Sequence, residues 1–191
     1  MKKIILILVV TLSFIGLSAQ ERLNLYLNKK TITMKDNLKL KIDPEIQGKK
    51  IQVTLSNASD PPAKFCSGLA TTPNEICVIG NDGLLGSFYE TFTVEQISML
   101  ASKEAMIVID FFWDMDGNIT RIEFILEDEI LLSIEPEIYA KFYANLKKNV
   151  KMDAAQGDRI NGYGGAFIFF EDVKNGNLLL QDIDYSSRYP K

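Results

Sequence analysis

The sequence predicts an α+β fold in which an antiparallel sheet carries two helices packed on one face, preceded by a small β-rich N-terminal part. Apolar runs on both sides of Asp116-Gly117 indicate a β-hairpin over residues 106–126. Apolar side chains at helical spacing after Pro136 indicate a helix. The core is therefore predicted in the order helix, strand, strand, helix, strand.

Residues 1–19 have the pattern of a signal peptide. Lys2 and Lys3 precede an apolar run from Ile4 to Ile15, and small residues lead to a cleavage site near Ala19. The alternative is a retained membrane anchor, which is disfavoured because the run is near the short limit for a span. No cysteine follows the run closely, so a lipoprotein anchor is disfavoured too. We expect a periplasmic or secreted protein with no membrane span after signal cleavage.

Charge and composition exclude several partners and chemistries. Removing Lys2 and Lys3 with the signal leaves 19 basic and 25 acidic residues, a net charge of −6. Nucleic acid is not an expected partner, because it is bound by clustered Lys and Arg. The absence of histidine excludes Ser-His-Asp and Cys-His catalysis and His-containing zinc sites. No cofactor is predicted.

Residues 20–87 form the predicted β-rich part. Alternating apolar and polar residues indicate strands at residues 23–27, 30–34, 38–42 and 51–55. From Ser56 to Ser87 this periodicity is lost among prolines and glycines, which indicates a long connection. Cys66 and Cys77 lie in it, and export favours a disulfide between them. They do not form a C-x-x-C pair, and two cysteines alone cannot complete a structural zinc site.

Residues 88–191 form the predicted α+β domain, built on the hairpin, whose register decides which residues share a face. With Asp116-Gly117 as a two-residue turn, the facing pairs are Trp113 with Thr120, Phe111 with Ile122, Ile109 with Phe124 and Ile107 with Leu126. A three-residue loop with a bulge would set Phe111 against Arg121, which mixes core with charge. The two-residue turn is therefore preferred.

The second face of the hairpin holds the candidate site. In the preferred register Phe112 faces Arg121 and Asp110 faces Glu123. Facing carboxylates would have Cβ atoms about 5 Å apart, and one of them would hold its proton more tightly, which general acid chemistry can use. The alternative is a solvent-exposed face on which Arg121 relieves the repulsion. Phe112 is more simply explained as a packing residue.

Two helices and a further strand complete this domain. Thr93 and Gln96 stand at capping-box spacing before a helix over residues 94–102, and a second helix begins at Pro136 and covers the apolar face of the hairpin. A turn at Asn175-Gly176 leads to a last strand at residues 178–184. The candidate edge strand before that turn consists of Ala166, Phe167, Ile168, Phe169, Phe170 and Glu171.

The order of elements over residues 93–171, with the Asp116-Gly117 turn between the first two strands, resembles the TonB C-terminal domain. The resemblance implies that a receptor peptide is added as an extra strand along residues 166–171. The chain departs from the family because it has no retained membrane helix with a Pro-rich spacer, and the strand at 178–184 would cover that edge. The whole chain also resembles small exported proteins of uncharacterised families in the Bacteroides group.

These patterns predict a non-catalytic binding or protein-interaction module of the cell envelope, with an envelope protein or peptide as partner. The alternative is a small carboxylate-dependent hydrolase that uses Asp110 and Glu123. No metal site is predicted, because Asp114-x-Asp116-Gly117 matches only part of an EF-hand loop and its flanks indicate strands. The oligomeric state is left open.

Overall fold

The computed structural model describes residues 19–28, 30–33, 38–47, 50–61, 81–114, 116–151 and 162–178. They form one six-stranded antiparallel sheet and six helices, so the predicted α+β class is confirmed. Three predictions lie outside the described residues: residues 1–18 of the predicted signal peptide, the predicted disulfide between Cys66 and Cys77, and all but Leu178 of the strand predicted at 178–184.

The strands pair in the order β1-β2-β3-β5-β4-β6. They are β1 (Thr31–Thr33), β2 (Lys39–Gln47), β3 (Lys50–Asn57), β4 (Met106–Trp113), β5 (Ile119–Leu126) and β6 (Gly162–Phe169). The helices are α1 (Ala19–Asn28), α2 (Asn81–Thr91), α3 (Val94–Ser102), α4 (Glu129–Leu132), α5 (Pro136–Asn149) and α6 (Phe170–Asn175). No helix among these residues is long and apolar enough to span a membrane.

The helices share one core with one face of the sheet. Phe124 of β5 stacks on Phe142 of α5 with ring centroids 5.3 Å apart, which confirms that this helix covers the apolar face of the hairpin. Phe142 in turn contacts Phe88 of α2 at 4.5 Å. Because β3 pairs with β5 and helix α2 spans residue 87, the two predicted parts of the chain contribute to the same sheet and core.

Both predicted helices begin where the sequence places them. Thr93 accepts a hydrogen bond from the Gln96 backbone N–H, and the Gln96 side chain accepts one from the Thr93 N–H, which completes the capping box of α3. Helix α5 begins with Pro136 in its first turn, where a missing N–H costs nothing. Local capping signals thus fix both starting points.

The β4–β5 hairpin has the predicted register in its body and a different one at its tip. The confirmed facing pairs are Ile109 with Phe124, Phe111 with Ile122, Asp110 with Glu123 and Phe112 with Arg121. After Phe112 the register shifts by one, so Trp113 faces Ile119 instead of Thr120.

The predicted two-residue turn is wrong. The Asp114 N–H donates to the Asn118 carbonyl at 3.0 Å, so three residues separate this pair, and Gly117 has the positive φ of 78° that such a loop requires. Thr120 is the extra residue that restores the register, and Lys147 donates to its carbonyl oxygen at 3.0 Å. The bulge therefore reconciles a three-residue loop with apolar pairing in the body of the hairpin.

Asp114 holds the hairpin tip in shape. Its Oδ1 accepts the backbone N–H groups of Asp116 and Asn118, both at 2.9 Å. Burial alone would raise the pKa of Asp114, but the hydrogen bonds from Asn118 and Asp116 outweigh it and the pKa lies below its ordinary value. Among the described residues no group of acidic or cysteine side chains could hold a metal ion.

Residues 23–27, predicted as a strand, lie in helix α1. The Tyr26 ring is fully buried, and its hydroxyl donates to the Ile134 carbonyl at 2.7 Å. Alternation over five residues is a weak signal, and three of these five residues are leucine, a good helix former. The contact with Ile134, far away in the sequence, favours the helix.

The predicted strand Ala166–Glu171 is wrong in its last two residues. Strand β6 ends at Phe169, and Phe170 and Glu171 begin helix α6. The Phe170 ring turns into the core and meets Phe88 at 5.6 Å, edge to face. The residue type at position 170 is compatible with the end of a strand and with the start of a helix. The contact of the Phe170 ring with Phe88 of α2 favours the helix.

The Asn175-Gly176 pair ends a helix and does not connect two strands. Gly176 has φ 69°, and its N–H donates to the Val173 carbonyl at 3.1 Å, the left-handed arrangement that ends many helices. The element before this pair is therefore a helix and not the predicted strand.

Helix α2 approaches the end of α5 closely at Gly83. A Cβ at Gly83 would lie 2.2 Å from the Asn149 carbonyl oxygen, far inside any real contact. At Gly86, one turn further along, an added Cβ would have no neighbour within 4 Å. The contact between these helices therefore requires glycine at Gly83 only.

We expect Gly83→Ala to lower the free energy of unfolding by about 1–3 kcal/mol, because backbone atoms must move to admit the methyl group. Gly86→Ala is the matched control in the same helix, and should raise stability by about 0.5–1 kcal/mol through helix propensity. Urea unfolding followed by circular dichroism measures both. Equal effects of the two substitutions would rule out the close approach.

Candidate functional site

The face of the sheet opposite the helices carries a row of polar residues. Lys41 faces Ser56, Ser56 faces Glu123, and Glu123 faces Asp110 on successive strands. Directly opposed residues have Cβ atoms about 4.5–5.5 Å apart, so the row is continuous across four strands. The structure thus brings Asp110 and Glu123 together and adds two residues from the N-terminal strands.

The centre of this face is buried. Asp110 has no exposed surface, and Val108, Phe112 and Ile125 around it are buried outside the main core cluster. The predicted alternative of a solvent-exposed face is therefore wrong at this position. Phe112 is a packing residue, as its apolar side chain indicates.

Arg121 and Glu123 form a largely buried ion pair. Arg121 Nε donates to Glu123 Oε1 at 2.7 Å, and the two side chains are 18% and 14% exposed. Arg121 Nη1 also donates to the Pro61 carbonyl at 3.4 Å. Each of these two charges is stabilised by the other, because an unpaired charge at this depth would strongly destabilise the fold. Arg121 thus pairs with Glu123 and also contacts the segment that follows β3.

A shallow groove opens beside this ion pair, with a volume of about 320 Å³. Its lining residues come from three strands: Lys41, Asp43, Pro44 and Glu45 of β2, Thr54 and Ser56 of β3, and Arg121 and Glu123 of β5. Asp110 and Phe112 do not line it. The four predicted site residues are therefore divided, two in the groove and two in the buried centre of the face.

Sequence reasoning missed the contribution of β2 and β3 to this groove. The alternation in these strands does place Lys41 and Asp43 on one face, and Thr54 and Ser56 likewise. Only the pairing of β3 with β5 brings them beside Glu123, and nothing near either strand in the sequence specifies that pairing.

A second polar cluster joins helix α5 to the segment after β3. The Tyr143 hydroxyl donates to Asp60 at 2.6 Å, and the Asp60 side chain is only 5% exposed. Asn57 Nδ2 donates to the same carboxylate at 3.2 Å, and Lys147 Nζ does so at 3.4 Å. Burial, followed by the hydrogen bond to Asp60, raises the pKa of Tyr143. A tyrosine held protonated in this way is a structural donor and not a nucleophile.

Strand β6 ends the strand order of the described sheet. Met106 faces Phe169, and the Phe170 N–H donates to the Ala105 carbonyl at 3.0 Å. In an antiparallel pair alternate residues direct their backbone groups to the partner strand. The N–H and C=O groups of Phe167 and the N–H of Phe169 therefore point away from β4, and no strand among the described residues pairs with them. The Phe169 carbonyl belongs to the first turn of α6, of which Phe169 is the N-cap.

The described residues thus define an α+β protein with a six-stranded sheet under one layer of helices. No family model and no curated protein matches the chain. Its fold is similar to that of a solved DUF5043 family protein from Bacteroides uniformis, with a TM-score of 0.50, 15% sequence identity, and coverage of 74% of this chain and 85% of that chain.

At this identity the similarity shows the fold alone. It agrees with the predicted resemblance to uncharacterised proteins of the Bacteroides group. The resemblance to the TonB C-terminal domain is not shown by any of the comparisons and stays a prediction.

We expect Tyr143→Phe to lower the free energy of unfolding by about 1–3 kcal/mol, because the buried Asp60 carboxylate loses its shortest hydrogen bond. Tyr89→Phe is the control. The Tyr89 hydroxyl donates to the Val173 carbonyl at 2.7 Å from a half-exposed position, where water can replace it. Urea unfolding at neutral pH measures both, and a smaller loss for Tyr143→Phe than for Tyr89→Phe would contradict the assignment.

The same variant should change the dependence of stability on pH. The raised pKa of Tyr143 means that the folded state holds this proton while the unfolded chain loses it above about pH 10. The contribution is complete below that pH and is lost as the pH rises further. The free energy of unfolding should therefore fall less steeply between about pH 9 and 11 in Tyr143→Phe than in the wild type.

Proposed function

We propose that the protein is an exported, non-catalytic interaction module of the cell envelope that binds an extended peptide segment of an envelope protein along strand β6. The observation that carries the proposal is the position of β6 at the end of the described strand order, with outward backbone groups at Phe167 and Phe169. A peptide strand that pairs with β6 would supply hydrogen-bond partners for these groups.

Strand β6 lacks the devices by which proteins usually block a sheet edge, namely short length, charged residues and proline. The opposite edge strand, β1, has three residues. Strand β6 has eight, GYGGAFIF, and none of them is charged or proline. This contrast supports β6 as the edge that accepts a partner.

Phe169 gives the edge an apolar contact surface. Its side chain is 40% exposed, and it lies opposite the half-buried Met106. Phe167 is on the same face of the strand and is half-buried. Side chains alternate along a strand, so the partner segment should carry apolar residues at every second position.

The mechanism is the one that the TonB-like resemblance implies, with the edge ending at Phe169. All but Leu178 of the strand predicted at residues 178–184, which would cover this edge, lies outside the described residues. The hydrolase alternative has less support, because Asp110 has no exposed surface and does not line the groove that contains Glu123. A substrate in that groove would meet a single carboxylate of the predicted pair.

Export is part of the proposal, with residues 1–19 as the signal peptide. We expect protein recovered from the periplasm or the medium to begin at Gln20, as measured by mass spectrometry of its N-terminal peptide. Protein that keeps Met1 and sediments with the membrane fraction would contradict export by a cleaved signal.

We expect Phe169→Pro to abolish partner binding while the domain stays folded. Phe169 has φ −83°, close to the value that proline imposes, and its N–H points away from β4, so the β4–β6 pairing can remain. The substitution removes an N–H that a peptide strand would use. Phe169→Ala is the matched control, since it removes the ring and keeps the N–H.

Binding can be measured by crosslinked capture from envelope extract, with the wild type and both variants as bait. A partner that Phe169→Ala retains at least in part, despite the lost ring contact, and that Phe169→Pro loses completely supports strand addition. Hydrogen exchange then tests the geometry, because the partner should protect the amides of Phe167 and Phe169 from exchange. A partner retained equally by all three proteins, or one that leaves these amides unprotected, would overturn the proposal.

A further inference from the structure

The groove between β2, β3 and β5 is a separate feature from the β6 edge. Its lining contains three carboxylates, Asp43, Glu45 and Glu123, and two basic side chains, Lys41 and Arg121. Among the described lining residues the carboxylates therefore outnumber the basic side chains by one, which favours a cationic ligand over an anionic one.

Both basic side chains are engaged within the protein. Arg121 donates to Glu123 and to the Pro61 carbonyl, and Lys41 Nζ donates to Asp43 Oδ2 at 3.1 Å. Glu123 uses Oε1 for Arg121, and no described residue donates to its Oε2. The acceptor oxygens left without a described donor in the groove include Glu123 Oε2 and Asp43 Oδ1.

Ser56 is the residue that points to a ligand. It is 5% exposed, it lines the groove, and no described residue makes a hydrogen bond with its hydroxyl. A buried polar group without a partner is costly, and such groups are rare in folded proteins. Ser56 stands directly opposite Glu123, so a single donor group between them could reach both oxygens.

We propose that this groove binds a primary ammonium group, carried by a small amine or by a lysine side chain. An ammonium has three donors and no acceptor, which matches an acceptor-rich groove. It would donate to Ser56 Oγ and Glu123 Oε2, with Thr54 and Asp43 beside them as further oxygen acceptors. Glu123 is held in place for this role by Arg121, which binds its other oxygen.

The test compares three five-carbon probes that differ only in their end groups: cadaverine, 1,5-pentanediol and glutarate. N-acetyl-lysine methylamide and its Nε-acetylated form represent the lysine side chain and its neutral control. Each probe is titrated at low salt, where charge attraction is least screened, while the backbone amide signals of Thr54, Ser56 and Glu123 are followed by NMR.

The expected result is a saturable shift of these signals with cadaverine or the lysine derivative, and none with the diol, the dicarboxylate or the acetylated lysine. Ser56→Ala and Glu123→Gln should each weaken binding about tenfold or more, because each removes an acceptor for the ammonium. Glu137→Gln, an exposed acid on α5 away from the groove, is the matched control and should bind as the wild type does.

Saturable binding of either amine supports the proposal, and the tighter of the two identifies the source of the ammonium. Equal shifts with pentanediol or glutarate, no saturable shift with either amine, or unchanged binding in Ser56→Ala would overturn it. Ser56→Ala keeps the test decisive if Glu123→Gln fails to fold, since it removes one hydroxyl and leaves the Arg121–Glu123 pair intact.

Discussion

The arrangement of the whole sheet depends on the register of the β4–β5 pair. This register sets Ile109 opposite Phe124 and Phe111 opposite Ile122, on the face that packs against the helices. Strand β3 then adds to β5, and β6 adds to β4, so the central pair passes its register to both sides of the sheet. One apolar row results across five strands: Ile42, Leu55, Phe124, Ile109 and Ala166. A slip of one residue in the central pair would break this row, because side chains alternate between the two faces.

The polar row on the other face follows from the same register. Once Ile109 and Phe124 are opposed under the helices, Asp110 and Glu123 must be opposed on the far side. The protein places charges at a depth where they destabilise the fold unless they have partners, and the contacts of Arg121 with Glu123 and Pro61 meet that requirement. The groove beside them exists because the polar row continues into β3 and β2.

The parts of this fold that the sequence predicts are those determined by neighbours along the chain. The capping residues of α3, Pro136 at the start of α5 and the apolar alternation of the hairpin act over a few positions, and all are found as expected. The wrong assignments have a different origin. Tyr26 is helical beside Ile134, and Phe170 enters a helix beside Phe88, so distant contacts decide both.

The candidate site shows the same division. The opposition of Asp110 to Glu123 follows from the hairpin pattern, but their burial and the presence of Ser56 beside Glu123 depend on strands far away in the chain. At the hairpin tip, Asp116-Gly117 is compatible with a two-residue loop and with a three-residue loop. The bulge at Thr120 makes the longer loop compatible with the register, and its carbonyl contact with Lys147 comes from α5.

The strand order also has a kinetic consequence. The β4–β5 hairpin joins neighbouring segments, and hairpins of this kind form within about 1–10 μs. The flanking strands β3 and β6 pair with the hairpin only after long segments of chain have closed into loops. Loop closure has an entropic cost that must be met before strand pairing contributes any stabilisation. Long-range pairing of this type slows folding. The hairpin therefore forms before β3 and β6 pair with it. Until they do, its two unpaired strand edges are the surfaces most exposed to incorrect association during synthesis.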